Sequence, residues 1–273
     1  MPTQSVPTEK ELCFHPIEND NPKVLAREQI QQFNEKGYLS GIRIFSEEEM
    51  VRHRAYFDRL LDYFHEQGKN SYAINGFHRQ YYGLYDLVQT PRVLDIMEDL
   101  IGPNIFCTMT HYFCKLPRDS KTVSWHQDAS YWPLTPTKVV TLWLAIDDVD
   151  KENAAMRFIP GSHLNGGLPY RQSEESEHNV LNQTATDVEQ YGEPVDIELK
   201  AGEVSLHSDL MLHGSLANNS DRRRCGLTMR YNPPDVRVLN TETNTTILCR
   251  GEDPSGYWEA SPRPEIDPAL DGS

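Results

Sequence analysis

Long apolar runs and paired cysteines are both missing from this sequence. It contains no stretch of about 18 consecutive apolar residues, the length that a transmembrane helix requires. Residues 1–20 carry charges and prolines where a signal peptide would have an apolar segment, so we expect a cytoplasmic protein without membrane contacts. The five cysteines are odd in number, scattered and free of Cys-x-x-Cys spacing, which argues against a disulfide framework and a structural zinc site.

Positive charge is also scarce. The chain has 26 Lys and Arg against 41 Asp and Glu, a net charge of −15, whereas a nucleic-acid-binding surface needs a basic stripe. One basic island, formed by Arg222, Arg223, Arg224 and Arg230, is consistent with a small bound anion near His213. Arg222 and Arg223 are expected to be solvated turn residues, because charged runs usually face water. We therefore expect a small-molecule substrate and no nucleic acid, and the sequence leaves the oligomeric state open.

The length and composition indicate one large domain. A chain of 273 residues with 38% hydrophobic residues can bury one sizeable core. Residues 1–22 show no periodicity and predict an N-terminal arm, which leaves residues 23–273 as a single domain. Residues 165–193 are rich in Gly, Ser, Glu, Asn and Gln, and predict a polar insertion that is either a lid or a disordered segment.

Helical patterns precede strand patterns along the chain. Ser46 with Glu49 forms a capping box, and apolar residues then recur at helical spacing as far as Gly68. A further helix is predicted over residues 91–101, and these helices should pack outside a sheet. Short apolar or alternating runs predict strands at residues 105–116, 139–147, 155–159, 195–199, 204–207, 225–231 and 246–249. The order favours a mainly β fold with flanking helices, in which two facing sheets form a jelly roll.

A split set of metal-ligand residues carries the main functional indication. His126 and Asp128 lie two residues apart, which on a strand places both side chains on one face, and His213 follows far downstream. Two imidazoles and one carboxylate are the ligands of the facial triad that holds non-haem Fe(II). His-x-Asp alone is weak evidence in a chain with ten His and 41 acidic residues. His207 competes with His213 as the distal ligand, and the Gly-Ser that follows His213, together with Arg224 beyond it, favours His213.

At these motifs the sequence resembles the phytanoyl-CoA dioxygenase family of Fe(II)/2-oxoglutarate oxygenases. The resemblance covers most of residues 24–235, including an opening similar to the family's first helix, strand and second helix. Its landmarks are residues 125–128 (Trp-His-Gln-Asp), 140–148 with Asn153 just beyond, 159–163 (Ile-Pro-Gly-Ser-His), and 213–215 (His-Gly-Ser) with Arg224.

The resemblance implies a cofactor set, a fold and a reaction. Fe(II) would be held by His126, Asp128 and His213, and the fold would be a double-stranded β-helix of the cupin-like type. Arg224 would bind the distal carboxylate of the co-substrate 2-oxoglutarate through its planar fork, with Ser215 as a helper and Trp132 lining the site. With O2, the enzyme would hydroxylate an unactivated C–H bond.

The expected substrate contacts lie ahead of the strands. Asn75, His78, Arg79 and Tyr81 belong to an aromatic and polar cluster, and His111 precedes the His-x-Asp motif by one strand. The alternative is an ordinary surface loop with hydrogen-bonded aromatics. A basic or amide-rich pocket would suit a small polar or zwitterionic substrate such as an aminophosphonate or an amino acid.

Other functions stay open at this stage. A halogenase of the same family would replace the metal-binding carboxylate with a small residue, whereas Asp128 is present. Desaturation or cyclisation would begin with the same hydrogen abstraction as hydroxylation. A cupin-like metal protein without oxygenase activity would leave Arg224 unexplained.

Overall fold

The computed structural model describes residues 6–271, so the ends of the predicted arm and of the predicted domain, residues 1–5 and 272–273, lie outside the described part of the chain. Between residues 6 and 271, no helix combines the length and apolarity needed to cross a membrane. The α-helices of this range are α1 (Arg27–Lys36), α2 (Glu47–Glu66), α3 (Tyr82–Val88), α4 (Pro91–Ile101) and the single turn α5 (Asp128–Tyr131).

Two sheets dominate the strand topology. The larger sheet has the spatial order β1 (Tyr38–Arg43), β10 (Glu203–Ser208), β5 (Val140–Ala145), β12 (Arg224–Asn232), β2 (Ile105–Lys115), β14 (Asn244–Arg250) and β15 (Trp258–Ala260). The smaller sheet has the order β3 (Val123–His126), β11 (His213–Ser215), β6 (Met156–Phe158) and β9 (Val195–Ile197). Two short pairs join β4 (Leu134–Thr135) to β13 (Arg237–Val238) and β7 (Tyr170–Gln172) to β8 (Gln183–Ala185).

The two sheets enclose one interior. Thr141 and Arg224 from the larger sheet line the same cavity as His126 and His213 from the smaller sheet. The helices pack against the other face of the larger sheet, where the Phe57 ring of α2 lies 4.7 Å from a β2 ring, measured between ring centroids. The mainly β jelly roll with flanking helices that the sequence predicts is therefore confirmed.

Helix ends follow the local sequence. Ser46 accepts a hydrogen bond from the Glu49 backbone N–H at 3.2 Å, and the Glu49 carboxylate accepts one from the Ser46 backbone N–H at 2.7 Å. This reciprocal cap confirms the predicted start of α2. Helix α4 has the predicted bounds and begins with proline at its first position, where the missing N–H costs no hydrogen bond. The sequence analysis missed α3, because seven residues are too few for a clear helical period.

Strand β12 runs through the centre of the larger sheet, paired with β2 on one side and β5 on the other. All nine of its residues are buried, because helices cover one face and the second sheet covers the other. Side chains alternate between the faces. Cys225, Leu227, Met229 and Tyr231 join the core under the helices, whereas Arg224, Thr228 and Arg230 line the interior of the jelly roll.

Gly226 allows β12 to pack closely against the Trp143 side chain of β5. A Cβ atom at Gly226 would lie only 1.8 Å from Cζ2 of Trp143, which is itself buried. We expect Gly226→Ala to lower the free energy of unfolding by about 1–3 kcal/mol or more, because overpacked cores must shift side chains or backbone. Urea unfolding of Gly226→Ala in the natural sequence and in a Trp143→Leu background checks this. An equal cost in both backgrounds would contradict the proposed clash.

The polar insertion at residues 165–193 has its own short elements. It contains β7, β8 and two turns of 3-10 helix, Glu175–Glu177 and Val188–Tyr191. It lies against β3: Asn179 Oδ1 accepts a hydrogen bond from the Ser124 backbone N–H at 3.0 Å, and Ser124 Oγ donates to the Gln183 carbonyl at 2.9 Å. The insertion therefore borders the strand that ends at His126.

Candidate active site

The smaller sheet brings the two predicted histidine ligands side by side. His126 on β3 and His213 on β11 are register partners, and their ring centroids lie 4.1 Å apart. Asp128 begins the turn α5, but Gln127 between them has extended backbone (φ −106°, ψ 131°), so Asp128 stays on the same side as His126. One ligand atom from each of His126, Asp128 and His213 lies within 4.8 Å of the other two, and all three residues are buried.

Backbone carbonyls orient both imidazoles. Nδ1 of His126 is 2.8 Å from the Ser124 carbonyl, and Nδ1 of His213 is 2.9 Å from the Met211 carbonyl. A carbonyl can only accept, so each Nδ1 carries the proton and each Nε2 keeps its lone pair. His126 Nε2 lies 3.7 Å from Asp128 Oδ1. This donor set fits Fe(II), which binds neutral imidazoles and a carboxylate.

Asp128 is ionised despite its burial. Burial opposes ionisation, but the guanidinium of Arg230 and the rings of His126 and His207 outweigh it and hold the pKa of Asp128 well below its usual range. Thr141 Oγ1 donates a hydrogen bond to Asp128 Oδ2 at 2.9 Å, which orients the carboxylate. Burial also keeps the pKa of His213 well below its usual range, so this imidazole stays neutral and able to bind a metal.

His207, the competing ligand, lies beside this cluster on β10. Its Nε2 is 3.8 Å from Asp128 Oδ2, and its ring centroid is 4.6 Å from that of His213. It falls outside the group whose ligand atoms converge. Residues 6–271 contain one other group of converging ligand atoms, Glu11, Cys13 and His15 in the N-terminal segment, which is largely exposed.

Arg224 and Ser215, the predicted co-substrate residues, are joined directly. Arg224 Nη2 donates to Ser215 Oγ at 2.9 Å, and Arg224 Nε donates to the Ala154 carbonyl at 2.9 Å. Arg224 is 1% exposed, and within the described chain it has no ion pair with a carboxylate. It lines a small cavity with the three candidate metal ligands, which we call the inner cavity. A buried guanidinium without a protein carboxylate fits a site for an external one.

A buried lysine supports the strand that carries Ser215. Lys115 is the register partner of Arg224, and its Nζ donates to the carbonyls of Leu216 at 2.6 Å and Lys121 at 2.7 Å. Burial, together with the charge of Arg224, lowers the pKa of Lys115 to about 6. This amine ties the end of β11 to the segment that leads into β3.

A larger cavity of about 690 Å³, the outer cavity, adjoins two of the candidate metal ligands. Four residues line both cavities: Phe113, His126, Asp128 and Arg230. Three predicted residues also line the outer cavity: Asn75, His111 and Trp132. His111 Nε2 lies 2.8 Å from the Tyr72 carbonyl, and burial lowers the pKa of His111 to about 4, so its ring is neutral. Trp132, predicted near the co-substrate, borders the outer cavity and not the inner one.

The structure places the other three predicted substrate residues elsewhere. His78 is 1% exposed and its Nδ1 lies 3.2 Å from Thr110 Oγ1. Arg79 is exposed and donates to the Thr245 carbonyl at 3.0 Å. Tyr81 stacks on Phe77 with ring centroids 5.0 Å apart. None of these three lines the outer cavity as the structure describes it.

Other residues of the outer cavity escaped the sequence analysis. Lys121, His178 and Arg230 line it, although they come from three distant segments. Arg230 was recognised only as a member of the basic island. The two-residue alternation along β12 could have placed it on the same face as Arg224.

Comparison with solved structures gives the same fold around this site. The chain superposes on the non-heme monooxygenase ThoJ in its apo form with a TM-score of 0.74 and 27% identity, over 87% of this chain and 88% of that one. It also matches EctD from S. alaskensis with 2-oxoglutarate and 5-hydroxyectoine, with a TM-score of 0.71, 20% identity and 96% coverage of both chains. At that identity the second match shows the fold alone.

Sequence relatives give the family. The chain is 30% identical over 166 residues to a probable alpha-ketoglutarate-dependent hypophosphite dioxygenase of Stutzerimonas stutzeri, a region that is 59% of this chain and 57% of that protein. It is 26% identical over 171 residues to a probable phytanoyl-CoA dioxygenase of Caenorhabditis elegans, which is 59% of this chain and 55% of that one. The matches thus span little more than half of these relatives. The phytanoyl-CoA dioxygenase family model matches residues 33–226, which include every candidate metal ligand and Arg224, and the chain therefore belongs to this family.

Proposed function

We propose that this protein is a non-haem Fe(II)- and 2-oxoglutarate-dependent dioxygenase that hydroxylates an unactivated C–H bond of a small molecule. One observation carries the proposal: a buried His-Asp-His cluster with both Nε2 atoms available lies in one cavity with an arginine that no carboxylate of residues 6–271 pairs with. Bound Fe(II) would supply the activation of O2. Across the reaction, 2-oxoglutarate, O2 and R–H become succinate, CO2 and R–OH.

The protein's own side chains position the reactants. His126, Asp128 and His213 are proposed as the metal ligands, and the carbonyls bonded to the two Nδ1 atoms prevent the rings from turning away. Arg224 and Ser215 are proposed to bind the distal carboxylate of 2-oxoglutarate. The Arg224 guanidinium, already oriented by its hydrogen bond to Ser215, would take the place of the water that solvates this carboxylate in solution. The carboxylate of Asp128 would hold the metal together with the two imidazoles.

The proposed substrate is a small polar or zwitterionic metabolite such as an aminophosphonate or an amino acid. Named relatives support small polar substrates: besides the hypophosphite dioxygenase, the chain is 26% identical to an L-proline trans-4-hydroxylase of Streptomyces griseoviridis over 57% of its length. Asn75 and His111, predicted as substrate contacts, border the outer cavity together with Trp132, which was predicted near the co-substrate, and we propose all three as its substrate-facing wall. His78, Arg79 and Tyr81 would act only if the loop that carries them moved.

The domain organisation and the location are also part of the proposal. We propose residues 23–273 as a single oxygenase domain preceded by an arm, with residues 165–193 as a lid over the metal cluster. Its hydrogen bonds to Ser124 next to the metal-binding strand support this role. A cytoplasmic location is proposed from the sequence.

Anaerobic titration tests the cofactor assignment. Fe(II) and 2-oxoglutarate added together should produce the weak visible charge-transfer band of the chelate, and neither should produce it alone. Screening small metabolites for stimulated succinate formation then identifies a substrate. A protein that binds Fe(II) without this band, and forms no succinate with any metabolite, would match the cupin-like alternative.

Isotope labelling with that substrate distinguishes hydroxylation from halogenation. Because Asp128 would supply the carboxylate ligand that a halogenase lacks, we expect a product with one oxygen from labelled O2, in an amount equal to succinate, whether or not chloride or bromide is present. Mass spectrometry of the product provides the measurement. A halogenated product from the unmutated protein would refute the hydroxylase assignment. A product lacking two hydrogens, without added oxygen, would indicate a desaturase or cyclase.

A further inference from the structure

We propose that Arg230 binds an oxyanionic group of the prime substrate, a carboxylate or a phosphonate, in the outer cavity. The inference rests on the proposed function, since it assigns the substrate side of the same metal site. It names a binding residue and the chemical group that the residue would recognise.

Arg230 is a buried cation with an unsatisfied donor. It is 7% exposed, and its Nε has no hydrogen-bond partner among the described residues. The nearest carboxylate oxygen, Asp128 Oδ2, lies 3.9 Å away and takes its hydrogen bond from Thr141 instead. A buried guanidinium is costly unless hydrogen-bonded partners compensate its charge. The missing partner is therefore expected to come from outside the protein, through the cavity that Arg230 lines.

Neighbouring residues restrict the position of the Arg230 guanidinium. Arg230 lies over the ring of Trp132, 5.0 Å from its centroid, an arrangement that restricts the planar group. Its strand neighbours are Thr141 on β5 and Met109 on β2, so its backbone is fixed on both sides. Little side-chain entropy remains to be lost when an anion binds.

The distal carboxylate of 2-oxoglutarate cannot be this partner while Arg224 binds it. Arg224 and Arg230 line the same interior from one strand, six residues apart, which at about 3.3 Å per residue separates their Cα atoms by about 20 Å. A five-carbon diacid that reaches from Arg224 to the metal ligands is much shorter than this. The carboxylate that Arg224 binds therefore leaves Arg230 free, and titration at saturating 2-oxoglutarate separates a second anion from the metal-binding end of the co-substrate.

The charges around the outer cavity also favour an anion. Its described lining contains two cationic side chains, Arg230 and Lys121, and a single carboxylate, Asp128, which the proposed metal would use. This is notable in a chain with a net charge of −15. The excess positive charge gives a binding preference for oxyanions over neutral molecules of the same shape.

The position of Arg230 also orients the substrate. Because Arg230 lies beside Asp128, an oxyanion bound there sits next to the metal ligands. The oxidised carbon should thus be close to the anionic group and not at the far end of a long chain. Lys121 offers a second contact to a dianion such as a phosphonate.

Minimal anions test this assignment on the full chain. Anaerobic protein with Fe(II) and saturating 2-oxoglutarate, which occupies Arg224, is titrated with acetate, methylphosphonate or neutral acetamide, and the unfolding midpoint and visible band are followed. We expect at least one oxyanion to raise the midpoint or shift the band, and acetamide to do neither. In Arg230→Gln, the concentration needed should rise about 30-fold or more, as for loss of a desolvated charge-assisted pair. Arg230→Lys should recover part of the response, and Arg52→Gln, an exposed helix arginine, should retain all of it.

Any of three results would overturn the proposal. These are no response to either oxyanion in the natural protein, an equal response to acetamide, and an equal response in Arg230→Gln. If Arg230 only stabilised Asp128, its replacement would weaken the band and the fold without changing the anion preference. If the band is missing from every sample, the proposed function fails, and the unfolding midpoints still report whether Arg230 binds the anions. A preference for acetate or for methylphosphonate identifies which oxyanion the site takes.

Discussion

His213→Ala is expected to abolish turnover and to remove most of the iron binding. Two remaining ligands cannot hold Fe(II) in the facial arrangement. The His213 imidazole comes from β11, whereas His126 and Asp128 come from the end of β3 and the turn after it, so neither is placed to replace it. His126→Ala and Asp128→Ala should behave in the same way. A ligand present at about 100 times its dissociation constant stabilises a protein by about 2.7 kcal/mol. The rise in unfolding midpoint on adding anaerobic Fe(II) should therefore disappear.

His163→Gln provides a matched control. His163 is also buried, but its Nε2 lies 3.1 Å from the Asn34 carbonyl and it does not belong to the group of converging ligand atoms. This variant should keep its iron-dependent stabilisation even if its fold is weakened. Full succinate formation by His213→Ala would contradict the ligand assignment, and loss of iron stabilisation in His163→Gln would mean that the assay reports folding alone.

Arg224→Ala is expected to raise the 2-oxoglutarate concentration needed for half-maximal succinate formation by about 30-fold or more. Truncating one partner of a buried charge pair costs about 2–5 kcal/mol, and about 1.4 kcal/mol corresponds to a factor of ten. Arg224→Lys should recover only part of this, because a point charge cannot reproduce the fork bonded to Ser215 and the Ala154 carbonyl. Iron-dependent stabilisation without 2-oxoglutarate should change little.

The two neighbouring arginines are matched controls. Arg222 Nη2 lies 2.8 Å from Asp150, and Arg223 Nε lies 2.8 Å from Asp147, so protein carboxylates already use both charges. Arg222→Ala and Arg223→Ala should leave the 2-oxoglutarate requirement nearly unchanged. Equal effects at all three positions would mean that a diffuse positive field, and not a specific pair, holds the co-substrate.

The parts of the fold that sequence could predict are those specified locally. The cap at Ser46 and the proline at the start of α4 lie within a few residues of the structure they determine. The metal cluster was also predictable, because two of its members are adjacent in a short motif. His213 was harder to choose over His207, since both belong to buried strands and both lie near Asp128. Only strand pairing places the His213 ring opposite His126.

The outer cavity could not be predicted from local pattern. Its wall is assembled from the β2 region, the turn α5, the insertion and β12, so no sequence window contains it. An aromatic and polar run predicts His78 and Tyr81 as contacts, whereas the structure buries His78 beside Thr110 of β2 and Tyr81 beside Phe77, so their role stays a prediction. Conversely, the sequence gives little indication that Arg230 lines this cavity, because a single arginine in an apolar strand has no partner nearby in sequence.

The two-residue period of β12 limits which sequence changes this fold can accommodate. Every residue of the strand is buried, and the strand is paired on both sides. Deletion or insertion of one residue would therefore turn the arginines toward the core under the helices and apolar side chains toward the inner cavity. The number of residues in β12 is therefore expected to stay fixed. New substrate ranges must arise by replacing side chains in the cavity wall or by changing the length of the insertion at residues 165–193, whose exposed polar segments tolerate such changes.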